Sequence, residues 1–303
     1  KHARYLILEW LRIYENWHEK SWETEILSRR ISAWVTNIDF LLAEKDLDFE
    51  KKFKKNLFKQ IKHLELQIRR KYFLFLEKSY CSEISSLKKI KILKGLFLSN
   101  ICIENKNIKL LKYVTILEKE LKANFNFEGV HISKSPSTQL AMLAELVTIR
   151  EAMISKNEKV PELLEITIKK ASHSLRFFRT ANGTFATFNG SKKESKFLID
   201  KILNSADGKA RGRGPISLSD SGFEKLHSYI LTVFVDSFSR SYGNMSKAPH
   251  AIEVYYGKNK LLGSCGTIYE KSQDWKKSLL SAAAHSMLII EKTDPDFKGS
   301  TVK

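Results

Sequence analysis

The stretch Leu-Arg-Phe-Phe-Arg-Thr-Ala-Asn-Gly-Thr-Phe-Ala-Thr-Phe-Asn-Gly, residues 175–190, marks the point where a helical sequence gives way to a strand-rich one. Ala181-Asn182-Gly183 and Asn189-Gly190 are turn sequences, because glycine and asparagine tolerate the backbone angles that tight turns require. The segment between them, Thr184–Phe188, alternates in the manner of a β-strand. The sequence therefore predicts an α+β protein of two domains, an α-helical domain at 1–180 and a β-sheet domain at 181–303.

The helical prediction rests on apolar residues that recur every three or four positions, as expected for one buried face of a helix. The clearest stripe comprises Phe53, Leu57, Ile61, Leu64 and Ile68. Further helices are predicted at 85–103, 107–124, 136–155 and 161–179. Short connections favour antiparallel helical hairpins, and Ser135-Pro136 is a favourable start for a helix.

Beyond residue 190 the sequence predicts a short helix and then several strands. The helix is expected at 194–204, and the basic loop Lys209–Pro215 follows it. Strands are predicted at 228–236, 250–256, 260–264 and 285–291. A β domain that starts near 181 needs more strands than these. Since the chain also begins at Lys1 without an initiator Met, we expect both ends to be cuts from a longer protein.

The chain is strongly basic, with 52 Lys and Arg against 34 Asp and Glu and a formal net charge of +18. Such a charge attracts polyanions, including acidic glycans, nucleic acids and anionic lipids. Solvated, lysine-rich helix faces explain the same excess without any ligand. No apolar run approaches the roughly 20 residues needed to span a bilayer, and the cysteines are too far apart for a zinc ribbon or redox pair.

Three segments resemble the heparinase II/III-like family of bacterial proteins. The first, Glu128–Pro136, is similar to a family segment that reads Asp-Gly-Gly-His before a helix. The second is the junction 175–190 quoted above, and the third, Ala283–Ser286, resembles an Ala-His-Ser or Ala-His-Asn segment of the family's β domain. Ser221-Gly222-Phe223 and Val235-Asp236 fit between them as a strand pair.

This resemblance implies an incomplete α/α toroid of helical hairpins followed by an antiparallel β-sandwich, which would be truncated in this chain. Family members of known activity are polysaccharide lyases of the periplasm or cell envelope that cut glycosaminoglycans or alginate. The expected enzyme is thus a carbon–oxygen lyase, and its expected substrate is an acidic, uronate-containing polysaccharide. β-Elimination needs a base, an acid, and a cation or amide that neutralises the substrate carboxylate.

The residues of this sequence that match the family's segments supply the candidates. His131, His285 and Asn189 are the predicted catalytic residues, and Arg176 and Arg179, which share a helix face, are the predicted substrate-binding pair. Each also has a purely structural explanation. His131 could cap its loop, His285 could be a core histidine, Asn189 could serve the turn, and the arginines could form a solvated helix end. A divalent metal such as zinc is a further possibility, without a ligand set of convincing spacing.

The sequence departs from the family at a tyrosine. Active relatives commonly use a tyrosine downstream of the histidine as acid or base, yet none occurs between His131 and His227, and Phe223 stands where similar sequences have tyrosine. Tyr229, Tyr242, Tyr255, Tyr256 and Tyr269 all fall in the β region. Two other functions therefore stay open: a non-catalytic glycan- or envelope-binding protein that retains the fold, and a nucleic-acid-binding helical protein. The last has only charge in its favour, because no nucleic-acid motif is present.

Overall fold

The structure is a computed structural model that describes residues 2–44, 46–75, 86–102, 107–237, 250–266 and 273–287. It comprises two compact units, one formed by Lys1–Glu120 with Thr148–Pro161 and the other by Leu121–Val147 with Glu162–Lys303. These units are defined by contacts within the chain, whereas the predicted domains 1–180 and 181–303 follow the change of secondary structure. The predicted domain boundary therefore stays a prediction.

The first unit is helical. Its helices are α1 (His2–Tyr14), α2 (Thr24–Thr36), α3 (Ile38–Leu42), α4 (Leu47–Phe75), α5 (Ser86–Cys102) and α6 (Asn107–Asn124), with the end of α7 (Pro136–Ser155). The predicted stripe of α4 is buried along its length, because Phe53, Leu57, Ile61, Leu64 and Ile68 form its core face. Helices α2 and α5 pack closely at Gly95, where an added Cβ would lie 2.7 Å from the Ser28 Oγ.

The second unit contains the start of α7, α8 (Glu162–Phe177), α9 (Lys196–Asp207) and α10 (Gln273–Leu280), together with a five-stranded antiparallel sheet. The strands are β1 (Ser217–Leu218), β2 (Phe223–Ser228), β3 (Leu231–Asp236), β4 (Ile252–Tyr256) and β5 (Asn259–Leu262), in that order across the sheet. Its core is a cluster of phenylalanine rings from α8, the junction segment, β2 and β3: Phe177, Phe178, Phe188, Phe223 and Phe234.

Several sequence-based predictions are confirmed by these elements. Helix α7 begins at Pro136 and α9 at Lys196, where the Ser195 hydroxyl accepts a hydrogen bond from the Leu198 N–H. Phe223 pairs with Asp236 in the register of β2 and β3, so the predicted strand pair forms. The run at 228–236 belongs to a hairpin rather than to one strand, because the chain turns at Tyr229, whose φ of 56° is left-handed.

One strand prediction is wrong within the described residues. Thr184–Phe188 is not a strand. Its Phe185 forms only an isolated bridge with Arg179, and its Thr187 N–H donates to the side chain of Glu253 instead of a strand partner. Only 285–287 of the strand predicted at 285–291 are described, where the chain leaves a 3-10 turn and the Ser286 carbonyl accepts from the Ile252 N–H of β4, so this strand stays a prediction. Helix α10 was not predicted.

Candidate functional site

The loop before α7 places His131 in the interior of the second unit, with only 2% of its surface exposed. The Ser133 N–H donates to the His131 Nδ1 at 3.1 Å, and the Ser133 hydroxyl lies 2.7 Å from the same nitrogen. The ring meets Phe125 edge-on. Burial lowers the pKa of His131 to about 4, so the imidazole is neutral at pH 7 and braces its own loop.

Gln139, on the first turn of α7, was missed by sequence reasoning and holds this loop in place. Its Oε1 accepts from the His131 N–H, and its Nε2 donates to the carbonyls of Gly129 and Ala171. Gly129 is needed there, since its φ is 79° and a Cβ would lie 2.5 Å from the backbone of α8. The sequence shows Gln139 only as the one amide side chain of α7, and its burial, which makes hydrogen-bond partners necessary, appears only in the structure.

The Asn189 turn meets the His131 loop. Asn189 has a φ of 50°, and its Nδ2 donates to the Lys134 carbonyl and to the Asp236 Oδ2, both at 3.2 Å. The hydroxyls of Ser135 and Ser191 are 3.0 Å apart. Burial lowers the pKa of Lys134, although the charge of Asp236 opposes that shift. Two of the predicted catalytic residues are therefore carried on loops that touch.

His285 lies in a different environment, beside the buried carboxylate of Glu253. Burial lowers the pKa of His285, and a backbone hydrogen bond with Leu279 and the charge of Glu253 partly oppose the shift. The Glu253 Oε1 accepts from the Thr187 N–H and hydroxyl and from the Lys260 ammonium, whereas its Oε2 accepts from the Tyr255 hydroxyl. Segment 187–191 therefore contacts the Glu253 cluster at one end and the loop before α7 at the other.

Arg176 and Arg179 both bind acidic side chains of the protein itself. Arg176 forms a bidentate ion pair with Asp207, with hydrogen bonds of 2.6 and 2.8 Å, and also donates to the Lys209 carbonyl. Burial raises the pKa of Asp207, but the hydrogen bonds and charge of Arg176 outweigh this and hold it below its usual value. Arg179 pairs with Asp200 and donates to the Ala210 carbonyl. Their immediate role is to fix the loop after α9 against α8.

That loop forms one wall of a cavity of about 960 Å³, here called the cationic groove. Arg176 and Arg179 lie at its base, and five more cations line it: Lys196, Arg211, Arg213, Lys225 and Lys258. Among the described residues that line the groove there is no aspartate or glutamate. Within the same part of the chain none of those five forms an ion pair. Of these five cations, the sequence indicated only Arg211 and Arg213, which lie in the basic loop Lys209–Pro215.

The missing tyrosine has a structural consequence. Phe223 is fully buried, and its ring packs 4.8 Å from that of Phe178 and 5.5 Å from that of Phe188. The Tyr255 hydroxyl donates to Glu253, and burial together with that carboxylate raises the pKa of Tyr255. Tyr229 is fully exposed at the hairpin turn. Tyr242 and Tyr269 lie outside the described residues.

Over the described ranges, no three His, Cys, Asp or Glu side chains cluster in a way that could hold a metal ion. Nor does any helix of that part of the chain combine the length and apolar character needed to cross a bilayer.

Comparisons with known proteins relate the chain to two groups. No model of a known protein family matches the sequence. FtsZ-localized protein C of Caulobacter vibrioides (strain NA1000 / CB15N) is 28% identical over 279 residues, which cover 88% of this chain and 44% of that protein. The crystal structure of heparinase III superposes with a TM-score of 0.70 at 16% identity, over 95% of this chain and 51% of that one.

Heparan sulfate lyase HepC from Pedobacter heparinus superposes with a TM-score of 0.65 at 13% identity, over 94% of this chain and 48% of that one. The chain thus spans about half the length of the relatives that it matches. These similarities confirm the predicted fold class, a helical-hairpin region followed by an antiparallel sheet as in heparinase III. At such identities they concern the fold alone.

Proposed function

We propose that this chain binds an acidic polysaccharide in the cationic groove while retaining a heparinase III-like fold. The observation that carries the proposal is the set of five cations around one cavity of about 960 Å³, none of which forms an ion pair with another described residue. Unpaired cations in a concave surface focus a positive potential that concentrates polyanions. Arg211 and Arg213 offer planar groups suited to carboxylates and sulfates.

The groove is also built to keep its shape. Gly214 lies so close to α8 that an added Cβ would be 2.5 Å from the Arg176 carbonyl carbon. Arg176 and Arg179 pair with Asp207 and Asp200 of α9, and they hold the loop that follows α9 by donating to the Lys209 and Ala210 carbonyls. A preformed wall lowers the entropy cost of ligand binding. The two predicted substrate-binding arginines thus support the site even though each already has a protein partner.

The environments of the predicted catalytic residues His131 and Asn189 favour binding of the glycan without β-elimination. A base with a pKa of about 4, as for His131, drives proton abstraction at pH 7 poorly, because an efficient catalytic base has a pKa near the working pH. The Asn189 amide donates to Asp236 and Lys134 rather than toward a ligand. β-Elimination by a polysaccharide lyase is the competing function, favoured by the fold of the solved neighbours.

One experiment separates these functions. Heparan sulfate and alginate oligosaccharides are titrated by calorimetry, and the ultraviolet absorbance of unsaturated products is followed in parallel. We expect binding without product, and at least tenfold weaker binding in Arg211→Ala/Arg213→Ala, since each charged hydrogen bond contributes roughly 1.5–3 kcal/mol. Lys193→Ala/Lys201→Ala is the matched control, because both lysines are exposed on the same unit and outside the groove.

The outcomes have distinct meanings. Formation of unsaturated product would show that the chain is a lyase. Equal loss of binding in both double variants would show that binding depends on net charge and not on the groove. Binding of duplex nucleic acid with a steep salt dependence, and no affinity for glycans, would favour the nucleic-acid alternative. The acidic-glycan proposal also carries an expected location in the cell envelope or periplasm, which fractionation of cells with an antibody to the chain would test.

A second candidate function rests on the curated relative. FtsZ-localized protein C is similar to this chain over 279 residues, and we propose localisation with FtsZ as an alternative or additional function. Co-sedimentation with FtsZ filaments tests it directly. Recovery of the chain with the filaments, unchanged in Arg211→Ala/Arg213→Ala, would assign that interaction to a surface other than the groove.

A further inference from the structure

We propose that Lys225 is the residue of the cationic groove that recognises an anionic group of the ligand, and that it takes up a proton when a sulfate or carboxylate binds. This inference rests on the proposed function, because it names the recognition element within the same groove. The two sources of the oxyanion, a sulfated or an unsulfated uronate chain, are distinguished by the test.

Lys225 occupies an unusual position for a charged residue. It lies on β2 directly opposite Phe234 of β3 in the sheet register. Its Nζ is 4.7 Å from the centre of the Phe177 ring and 5.0 Å from that of Phe234. Aromatic faces attract an ammonium ion, but less strongly than a carboxylate at contact distance would. The chain therefore holds a half-buried amine against two rings at the wall of an open cavity.

The Lys and Arg residues that share the groove with this amine add positive charge, and the described residues that line the groove include no Asp or Glu. His227 lies two residues along β2 and is bonded to Thr232 of β3, α8 contributes Arg176, and Arg179 comes from the segment that follows α8. Arg211 and Arg213 come from the loop after α9, Lys196 from the start of α9, and Lys258 from the turn between β4 and β5. Asp200 and Asp207 pair with Arg179 and Arg176, and Glu253, two strands from Lys225 in the sheet register, pairs with Lys260.

Burial lowers the pKa of Lys225 to about 8. Near pH 8 the amine is therefore partly neutral, whereas an exposed lysine remains charged to about pH 10. An oxyanion seated beside Nζ favours the ammonium form, because an opposite charge within a few ångströms stabilises it. The proton comes from the buffer, so that the neutral amine and one proton become the ammonium that binds the oxyanion. At a pH equal to the pKa, up to roughly half a proton is taken up per bound ligand.

Calorimetry in two buffers with different ionisation enthalpies, Tris and HEPES at pH 8, measures this uptake. The probes are a heparan sulfate oligosaccharide and an unsulfated alginate oligosaccharide. We expect the apparent binding enthalpy of the unaltered chain to differ between buffers for whichever probe binds. Lys225→Arg should bind without proton uptake, since arginine stays charged. Lys225→Met should bind about tenfold to a hundredfold more weakly.

Lys201→Arg is the matched control, because it changes an exposed lysine of the same unit that lies outside the groove and should leave the uptake intact. Circular dichroism spectra verify that each variant is folded. Equal proton uptake in Lys225→Arg and the unaltered chain, or unchanged affinity in Lys225→Met, would overturn the assignment of Lys225 while leaving groove binding in place. Failure of the unaltered chain to bind either probe would overturn the proposed function and this inference together.

Discussion

Thr187 donates both its backbone N–H and its hydroxyl to the same carboxylate oxygen of Glu253, at 3.1 and 2.6 Å. Glu253 is fully buried on β4 and also accepts from Lys260 of β5 at 2.8 Å. A side chain on the sheet thus satisfies the backbone of the junction segment, which a neighbouring strand would otherwise do. Because Asn189 follows two residues later, this cluster fixes the turn that reaches the loop of His131.

Replacing Glu253 by glutamine should destabilise the second unit by about 3 kcal/mol, because the buried carboxylate loses its charged hydrogen bonds with Thr187, Tyr255 and Lys260. The free energy of unfolding from urea titration measures the effect. The double variant Glu253→Gln/Lys260→Met should recover part of the loss, since neither charge then remains.

Glu224→Gln is the control for that pair of variants. Glu224 lies on the same sheet and bonds only the Ser217 hydroxyl among the partners seen for it, so we expect a loss below about 1 kcal/mol. Equal effects of the Glu224 and Glu253 substitutions would contradict a structural role for the buried cluster.

The buried His131 should make the folded chain less stable as the pH is lowered. Its pKa is about 4 in the folded chain and about 6.5 in an unfolded one, so the unfolded state binds more protons between these values. Above about pH 6.5 the ring is neutral in both states and costs no stability. As the pH falls toward 4, the free energy of unfolding decreases by up to about 3 kcal/mol. Urea titrations at pH 7 and 4.5 should show a smaller difference in His131→Gln than in the unaltered chain. An identical difference would contradict the buried, neutral imidazole.

Part of that acid dependence should survive in the variant. Burial also lowers the pKa of His285, so this residue contributes in the same direction. His131→Gln/His285→Gln should therefore depend on pH less than either single variant.

The helices were largely predictable from the sequence because their information is local. The apolar period of α4 and the Ser135-Pro136 start of α7 both depend on neighbours within a few residues, and both are present in the structure. Thr184–Phe188 has an equally local pattern, but it lacks a strand partner. Its polar groups bind Glu253, 66 residues from Thr187, and no period in the sequence encodes such a pairing.

In the candidate site, too, features that depend on neighbouring residues were predictable from the sequence, and features that combine distant residues were not. His131 and Asn189 could be identified as candidates from the sequence, because they lie in segments that resemble the family. In the structure their two loops are in contact. The cationic groove was not predicted as a cavity, because its wall combines Lys196, Lys225 and Lys258 from three distant elements. Arg176 and Arg179 were predicted to share a helix face, but α8 ends at Phe177 and Arg179 lies beyond it; their partners Asp207 and Asp200 were not predicted.

Gly214 should be essential to the groove for a steric reason. An added Cβ would lie 2.5 and 2.6 Å from backbone atoms of Arg176 and Phe177, so Gly214→Ala must displace the loop that carries Arg211 and Arg213. We expect a loss of about 2 kcal/mol in stability and weaker binding of whichever glycan binds. Urea titration and calorimetry measure the two effects.

Gly208→Ala provides the comparison. Gly208 has a φ of 74° but nothing within 4 Å of an added Cβ, so the cost is about 1 kcal/mol of backbone strain and glycan affinity should not change. If both alanine variants bind equally well, the close packing of the loop on α8 does not shape the groove.

Asn189→Asp tests the contact between the junction turn and Asp236. Aspartate tolerates the left-handed backbone of Asn189, but it replaces a donor by a carboxylate about 3.2 Å from the buried Asp236 oxygen. We expect a loss of about 3 kcal/mol at pH 8 and a smaller loss at pH 5, where the two carboxyls can share a proton. Asn189→Gly removes the same hydrogen bonds without adding charge, so its loss of about 1–2 kcal/mol should not depend on pH. Urea titrations of both variants at the two pH values decide the matter, and a loss in Asn189→Asp that is unaffected by pH would mean that the two carboxylates do not meet.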